Sequence, residues 1–460
     1  MNKKILILTV FALAAGKNKI QATDELPNAP DFAVLCRIVQ HAKAGFKQAS
    51  EDEKSVASQL AATTAKLAII NDDDETRYLD KNNRTIYRIT GDEPKIPKGA
   101  EKKPLKAKLL QLERRAAELK NDYDNTFAEA TRQIEQANDE LAEAVYGAGA
   151  KFEDQGDSSK LITNARASSL FGATGTYNKN CGGTNGGGAA STSNVGITLV
   201  SDIYCLCIAG TASAKTCDQT TTALSHGTLF ASTAGTGKEA FDALMAKCGS
   251  QPQQTSPSEL HALLIAWQSK LGSHFESTNT RDAARFIIGR ADNPATGCTG
   301  AAKQHCVDYK SFLGATPSQD PRWVSKIKSA ITKVQTAAEK SLRLRHSLSL
   351  LEVVSDQANL TYTEGLNSQR TQRHNAENNA PTKQTETDET CEKKGTGDGC
   401  KDGCKWDGEG DNKKCVKDLD YKPKQAEGGE KESKTGTTNT TGSNSFIINK
   451  GPLLLTFLLF

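Results

Sequence analysis

The chain has 460 residues, with 58 Lys+Arg against 55 Asp+Glu and a formal net charge of +3. So balanced a count gives no whole-chain electrostatic affinity for nucleic acid, and 37% hydrophobic residues with a mean hydropathy of −0.54 exclude a polytopic membrane protein. Twelve cysteines are the informative count, because their chemistry depends on the redox compartment the chain enters.

Met1-Asn2-Lys3-Lys4 precedes an apolar run from Ile5 to Ala15. Two charges followed by about ten apolar residues predict a secretory signal peptide, and the run is too short to span a bilayer. Cleavage after Ala14 or after Ala22 leaves a small residue at the cut, and residues 1–22 are taken as the signal. From Asp31 to about Asn71 the apolar spacing predicts helix, through Phe32, Leu35, Cys36 and Val39, then Val56, Leu60, Leu67 and Ile70, with Asp31 as N-cap. Residues 72–104 are polar and turn-rich, a connection.

The clearest periodicity follows. Leu105, Leu109, Leu112, Ala116, Leu119, Tyr123, Phe127, Ala130, Ile134, Ala137, Leu141 and Val145 recur every three or four residues, close to the straight-helix period of 3.6. At 1.5 Å per residue such a helix is roughly 60 Å long. It cannot bury its stripe against itself, so it needs a comparably long partner, and residues 31–71 are the nearest candidate, antiparallel through the polar connection. Gly147 and Gly149 end it.

Residues 148–210 turn Gly-, Ser-, Thr- and Asn-rich, with Gly182–Gly188 read as an exposed loop and Gly196 to Ala209 as a strand-like run. Short helices are predicted at Gly237–Cys248, Pro257–Leu271 and Thr280–Gly289. A third long helix is predicted from Trp323 to about Leu360, on Ile327, Ile331, Val334, Ala338, Leu342, Leu348, Leu351 and Val354. Residues 366–390 carry almost no apolar side chains and read as a linker. Residues 391–420 hold a compact four-cysteine module, and residues 421–443 a disordered Lys/Glu/Gly/Thr-rich stretch.

In an oxidising lumen an even cysteine set is a disulfide framework first and a metal site second. Eight fall in the long N-terminal part (Cys36, Cys181, Cys205, Cys207, Cys217, Cys248, Cys298, Cys306) and four near the end (Cys391, Cys400, Cys404, Cys415). Connectivity is open, since eight cysteines allow 105 pairings and four allow three. If the Cys205-Leu-Cys207 run is a strand, its two cysteines face opposite sides and take different partners.

No enzyme, cofactor or metal is nominated. Thr236-Gly237-Lys238 fails as a phosphate-binding loop, with Ser232 where the first glycine is required and Glu239 where the hydroxyl should stand. The seven histidines form no i, i+4 pair. N-glycosylation sequons stand at Asn83, Asn359 and Asn439, with Asn359 placed at the end of the third helix. The terminal run Leu453–Phe460 is apolar apart from Thr456, far short of the roughly 20 residues a spanning helix needs. Small residues Gly442, Ser443, Asn444 and Ser445 upstream of it fit a GPI-attachment signal.

The tail Asn439-Thr-Thr-Gly-Ser-Asn-Ser-Phe-Ile-Ile-Asn-Lys-Gly-Pro-Leu-Leu-Leu and the module Cys391…Cys400-Lys-Asp-Gly-Cys404-Lys-Trp-Asp…Cys415 resemble the variant surface glycoproteins of African trypanosomes. So do Asp31-Phe-Ala-Val-Leu-Cys36, Ala144-Val-Tyr-Gly147, Cys205-Leu-Cys207 and Gly297-Cys-Thr-Gly300…Cys306-Val-Asp-Tyr309, which look like the family's class B version. The resemblance implies a mainly α protein, an elongated bundle (residues 23–365) around two long antiparallel helices with a loop-rich, disulfide-bonded distal lobe and a small disulfide-rich C-terminal domain. It also implies Ser443 as GPI-attachment residue, with residues 444–460 removed.

The expected function is a GPI-anchored coat glycoprotein on the outer face of the plasma membrane. It would shield that membrane and evade immunity by antigenic variation, with the polar loops at 171–196 as a replaceable surface. Its partners would be further copies of itself in a homo-oligomer and dense lateral packing, the membrane through the GPI lipid, and host antibodies, with no nucleic acid. The alternative is a GPI-anchored nutrient or host-protein receptor on the same scaffold, which would need a persistent aromatic or apolar patch.

Overall fold

The computed structural model describes residues 26–48, 51–74, 76–77, 80–86, 102–183, 189, 192–211, 213–225, 227–274, 281–378, 387–394, 399–401, 403–410 and 413–420. The expectations for the signal peptide, for glycines 184–188, for residues 421–443, and for Asn439, Ser443 and the terminal tail lie outside these residues. The chain forms two compact units, Met1–Tyr362 and Thr363–Phe460. The described residues are mostly helical, and the protein is mainly α.

The helices of six or more residues are α1 (Ala29–Ala44), α2 (Glu51–Asn71), α3 (Lys81–Ile86), α4 (Lys102–Tyr146), α5 (Lys238–Met245), α6 (Pro257–Lys270) and α7 (Arg322–Asn378). Among the described residues, shorter helical turns and three short strand pairs join these: β1 (Ala209–Gly210) parallel to β2 (Leu224–Ser225), β3 (Ile287–Gly289) antiparallel to β4 (Cys306–Asp308), and β5 (Cys404–Asp407) antiparallel to β6 (Lys414–Lys417).

The long periodic stripe is α4. Eight of its twelve positions are buried and the other four half-buried. Gly147, at φ +82°, closes the helix by donating its N–H to Glu143 O at 2.8 Å. The first partner comes from residues 31–71, as expected, but as two helices rather than one. Gly45 separates α1 from α2 at φ +65°, and a Cβ there would stand 2.3 Å from Phe152. α2 runs antiparallel to α4, and α1 packs against the same helix. Phe46 N–H donates to Asn138 Oδ1 at 2.7 Å near one end, and Asn71 Nδ2 to Glu113 Oε2 at 3.3 Å near the other.

The second partner is α7, also antiparallel to α4. Lys326 bridges Glu140 and Glu143 at 2.8 and 2.6 Å, Lys340 meets Glu129 at 2.8 Å, and Ser347 donates to Asp122 at 3.4 Å. Its inward face departs from the predicted stripe. Ile327 and Ile331 are buried as expected, but Ala338 and Leu342 face outward. The buried positions there are Ala337, Leu344, Leu351 and Ala358, each seven residues on from the last, with Ser347, Val354 and Thr361 three residues behind. That is the 3.5-residue seam of a coiled coil, displaced by one position from a 3.6-residue extrapolation out of Ile331. The three helices share one apolar layer, with Leu60, Leu67 and Ile70 of α2, Leu109, Leu119 and Tyr123 of α4, and Leu344, Leu351 and Val354 of α7.

α7 also runs to Asn378, into the 366–390 stretch that composition marks as linker. Polar residues can continue a helix that packing has already nucleated, because propagation costs far less than initiation. Asn359 therefore lies inside α7 and not at its end.

Other expectations are corrected between α4 and α7. The strand-like run Gly196 to Ala209 is a helical turn (Leu199–Ile203) continuing into a π-helical turn (Tyr204–Ile208), and only Ala209 joins a strand. The run is wholly buried from Leu199 to Ala209, so its apolar character reflects burial on all sides, which does not discriminate helix from strand. Gly182 and Gly183 are buried, against the backbone of Asp308 and Cys298, so they are no part of an exposed loop. The predicted helix at Thr280–Gly289 reduces to Arg281–Ala284 before β3.

The shared seam makes a prediction. Leu351→Ala, at a residue 2% exposed, is expected to lower unfolding free energy by about 2–5 kcal/mol. Leu342→Ala on the same helix, at a residue 61% exposed, should change it by less than about 0.5 kcal/mol. Chemical denaturation followed by circular dichroism compares the two, and equal losses would refute the seam assignment.

Candidate functional surface

All twelve cysteines are paired: Cys36–Cys248, Cys181–Cys205, Cys207–Cys217, Cys298–Cys306, Cys391–Cys404 and Cys400–Cys415. Cys205 and Cys207 take different partners, although on a π-helical turn and not on a strand. Among the described residues no His/Cys/Asp/Glu group is arranged to hold a metal ion.

Two buried polar nodes fasten the loop-rich part of the first unit to its helices. The first is at the start of α1. Asn28 occupies the N-cap position, yet its side chain makes no cap bond and turns into the core. Its Nδ2 donates to Leu206 O at 2.9 Å and His305 O at 2.6 Å, and its Oδ1 accepts from Arg290 N–H at 2.8 Å. Asp31, the expected N-cap, lies inside the helix instead. Its Oδ2 accepts from Gly289 N–H at 3.1 Å and pairs with His274 Nε2 at 2.7 Å. Both side chains therefore cross-link α1 to four distant segments, near residues 206, 274, 289 and 305.

The second node is Asp202, fully buried in the apolar run. It accepts from Tyr309 Oη at 2.6 Å, Trp323 Nε1 at 2.8 Å and Gly196 N–H at 3.2 Å. Trp267 packs edge-on against both donors, with ring centroids 5.0 Å from Trp323 and 5.2 Å from Tyr309. Burial outweighs these hydrogen bonds and raises the Asp202 carboxyl to about 7. Sequence reasoning did not single out Asp202, Asn28, Trp267 or Trp323. The available signal was a lone carboxylate within Leu199–Ala209, where a charge has no business without buried donors.

The sequons differ in setting. Asn83 is half-buried on α3, its amide donating to Arg77 O at 3.1 Å. Asn359 is exposed on α7, while its sequon partner Thr361 is buried and donates to Gln357 O at 2.8 Å. In the second unit, the four cysteines themselves form the apolar cluster of the small module. Asp388 fastens the Asp388–Glu392 turn to β6 by accepting from Lys417 N–H at 2.9 Å. Among the described residues no helix is long and apolar enough to cross a membrane.

A three-helix layer, a disulfide-pinned loop region and a four-cysteine module together define a mainly α, disulfide-rich scaffold. Residues 64–353 match the family model described as the trypanosomal VSG domain, and residues 405–460 match that of variant surface glycoprotein ETAT. The first match covers more than half of the chain, and the chain belongs to the trypanosomal variant surface glycoprotein family. Variant surface glycoprotein WRATAT B of Trypanosoma brucei rhodesiense is 27% identical over 310 residues, 62% of this chain and 60% of its own length. Variant surface glycoprotein YnAT 1.3 of Trypanosoma congolense is 26% identical over 342 residues, 70% of this chain and 77% of its own. Variant surface glycoprotein ILTAT 1.1BC of Trypanosoma brucei brucei is 57% identical over 79 residues, 16% of this chain and 17% of its own length. The chain thus spans less than two thirds of the WRATAT B and ILTAT proteins.

Two expectations follow. The folded state holds the Asp202 proton between pH 4 and about 7, where the unfolded chain has released it, so this group's contribution to stability falls as pH rises through that window. Asp202→Asn is expected to flatten the decline in melting temperature between pH 4 and 7, leaving the smaller share of Asp308, which burial raises to about 6. An unaltered slope would refute the assignment. Separately, Cys400→Ser/Cys415→Ser opens a bridge of sequence separation 15 and should cost the small module about 3 kcal/mol, read as lost protection of β5 and β6 in hydrogen exchange.

Proposed function

We propose that this chain is a coat glycoprotein, held on the outer face of the plasma membrane by a GPI lipid on Ser443, and that it shields that membrane and evades immunity by antigenic variation. The observation that carries the reading is the pair of family matches, over 64–353 and over 405–460, the second taking in Ser443 and the apolar Leu453–Phe460 behind it. On this reading residues 1–22 and 444–460 are removed, residues 23–365 form the coat domain, and residues 391–420 stand as a separate module. The 366–390 segment joins them, and 421–443 leads to the anchor.

Shielding needs bulk, not chemistry. A 45-residue α4 and a 57-residue α7 supply length, and a disulfide-tied loop region supplies a surface whose residues can change without loosening the core. The proposed partners are further copies of the same chain packed side by side in a homo-oligomer, the anchoring membrane, and host antibodies. Glycans on Asn83, Asn359 and Asn439 would add bulk, and no catalytic role is assigned. The receptor alternative wants one concentrated apolar patch. The exposed large apolar residues among those described (Ile265, Leu342, Val353, Leu360, Trp406 and Leu419) are spread over α6, α7 and the small module, which favours the coat.

Quantitative mass spectrometry of surface-labelled cells tests the reading. The chain should dominate all surface protein and be released by a phosphatidylinositol-specific phospholipase, and Ser443→Leu should abolish surface retention. A few thousand copies per cell, or retention of the Ser443→Leu chain, would overturn it.

A further inference from the structure

A cleft of about 420 Å³ opens between two disulfide-closed loops, Cys207–Cys217 and Cys298–Cys306. That size suits a small ligand. Lys215, Arg290 and Lys303 line it, and no carboxylate is among its described lining residues. Asp292 acts on these cations from outside the lining. Its carboxylate grips Arg290 at 2.7 and 3.3 Å and stands 3.7 Å from Lys303 Nζ, offsetting one charge of three. Among the described residues, the cations lining the cleft outnumber the carboxylates that touch them.

Its walls are set before any ligand arrives. Lys215 stands in a loop closed by a bridge of sequence separation 10, and Lys303 in one of separation 8. Ser213 and Lys303 both hold positive φ, 72° and 64°, a conformation that L-residues seldom adopt and that persists only where the surroundings impose it. Arg290 N–H is tied to Asn28, and Asp292 N–H donates to Lys303 O at 3.1 Å. The buried lining is polar: Thr216 and His305 are 5% and 2% exposed. The hydroxyls of Thr211 and Thr216 donate to Gly300 O at 3.1 Å and Leu206 O at 2.8 Å, which turns their oxygens into acceptors for a hydroxyl in the cleft.

We propose that this cleft binds a small saccharide carrying two phosphate or sulfate groups. One oxyanion would meet Lys215 on one wall and the other would meet Lys303 and Arg290 on the opposite wall, as charge-assisted hydrogen bonds. The sugar hydroxyls between them would donate to Thr211 and Thr216. The chemistry fits a free sugar bisphosphate and the sulfated end of a polysaccharide alike. The inference is independent of the coat reading, because a chain of any surface abundance can hold such a ligand.

Isothermal titration of the purified chain with fructose 1,6-bisphosphate and with a disulfated heparin disaccharide tests it, with glucose as uncharged control. At least one anionic probe is expected to bind, glucose is not, and affinity should fall between 50 and 200 mM salt, conditions chosen to bracket strong and weak screening. Lys215→Ala and Lys303→Ala should each weaken binding about tenfold. Lys160→Ala and Lys103→Ala, exposed lysines outside the lining, should leave it unchanged. Preference for the bisphosphate assigns a free metabolite, and preference for the disaccharide assigns a polysaccharide end. Asp24 and Glu25 stand three and two residues before the lining residue Pro27 in the chain, so Asp24→Asn/Glu25→Gln is a further arm. Equal or tighter binding there supports the proposal, and binding seen only in that variant means that the chain's own acids fill the cleft and overturns it. Failure of both probes, or equal losses at the lysines outside the lining, also overturns it.

Discussion

A single amphipathic helix of 45 residues cannot exist alone in water, and the rest of the first unit is organised by that fact. The apolar stripe of α4 demands cover along its whole length. The chain supplies it from both sides of the sequence, by α1 and α2 before it and by α7 after it. Charged rungs such as Lys326 with Glu140 and Glu143, and Lys340 with Glu129, contribute little energy at partly exposed sites, but they select one antiparallel register among several that the apolar layer would tolerate.

Regular, long-range periodicity was legible in the residues; anything decided by burial on all sides was not. The α4 stripe could be read residue by residue, because a one-sided helix writes its period into the sequence. The inward face of α7 could not, because Leu342 and Val353 point outward while Ser347 and Thr361 point inward, and the seam changes from a 3.6- to a 3.5-residue repeat. The run from Leu199 to Ala209 carries no period, so nothing in it distinguished a π-helical turn from a strand. Asp31 reads as a capping residue and Asn28 carries no sequence signal, and only the fold reveals that segments near 206, 289 and 305 claim them as cross-links. The cationic cleft was invisible for a similar reason, since Lys215, Arg290 and Lys303 come from separate stretches of chain.

The same division bears on the proposed coat role. On that reading, a surface that varies while its shape persists needs stability that does not depend on surface residues. Here that stability resides in the heptad seam, in the Asp202 and Asn28 nodes, and in disulfides that tie loops at their roots. In the small module the principle goes further: its apolar cluster is made of the cysteines, so nearly every other position can be polar or charged.

The bridge between Cys36 and Cys248 has a consequence for biosynthesis. Cys207–Cys217 and Cys298–Cys306 join near neighbours and can close soon after both thiols emerge, whereas Cys36 must wait for a partner 212 residues downstream. At ordinary ribosomal rates that wait lasts roughly 10 to 40 s. Throughout it Cys36 is an unpaired thiol, open to capture by Cys181 or Cys205 as each appears. The order in which the chain leaves the ribosome therefore sets its main hazard of mispairing, and a thiol-exchange catalyst would matter to Cys36 more than to any other cysteine in the first unit.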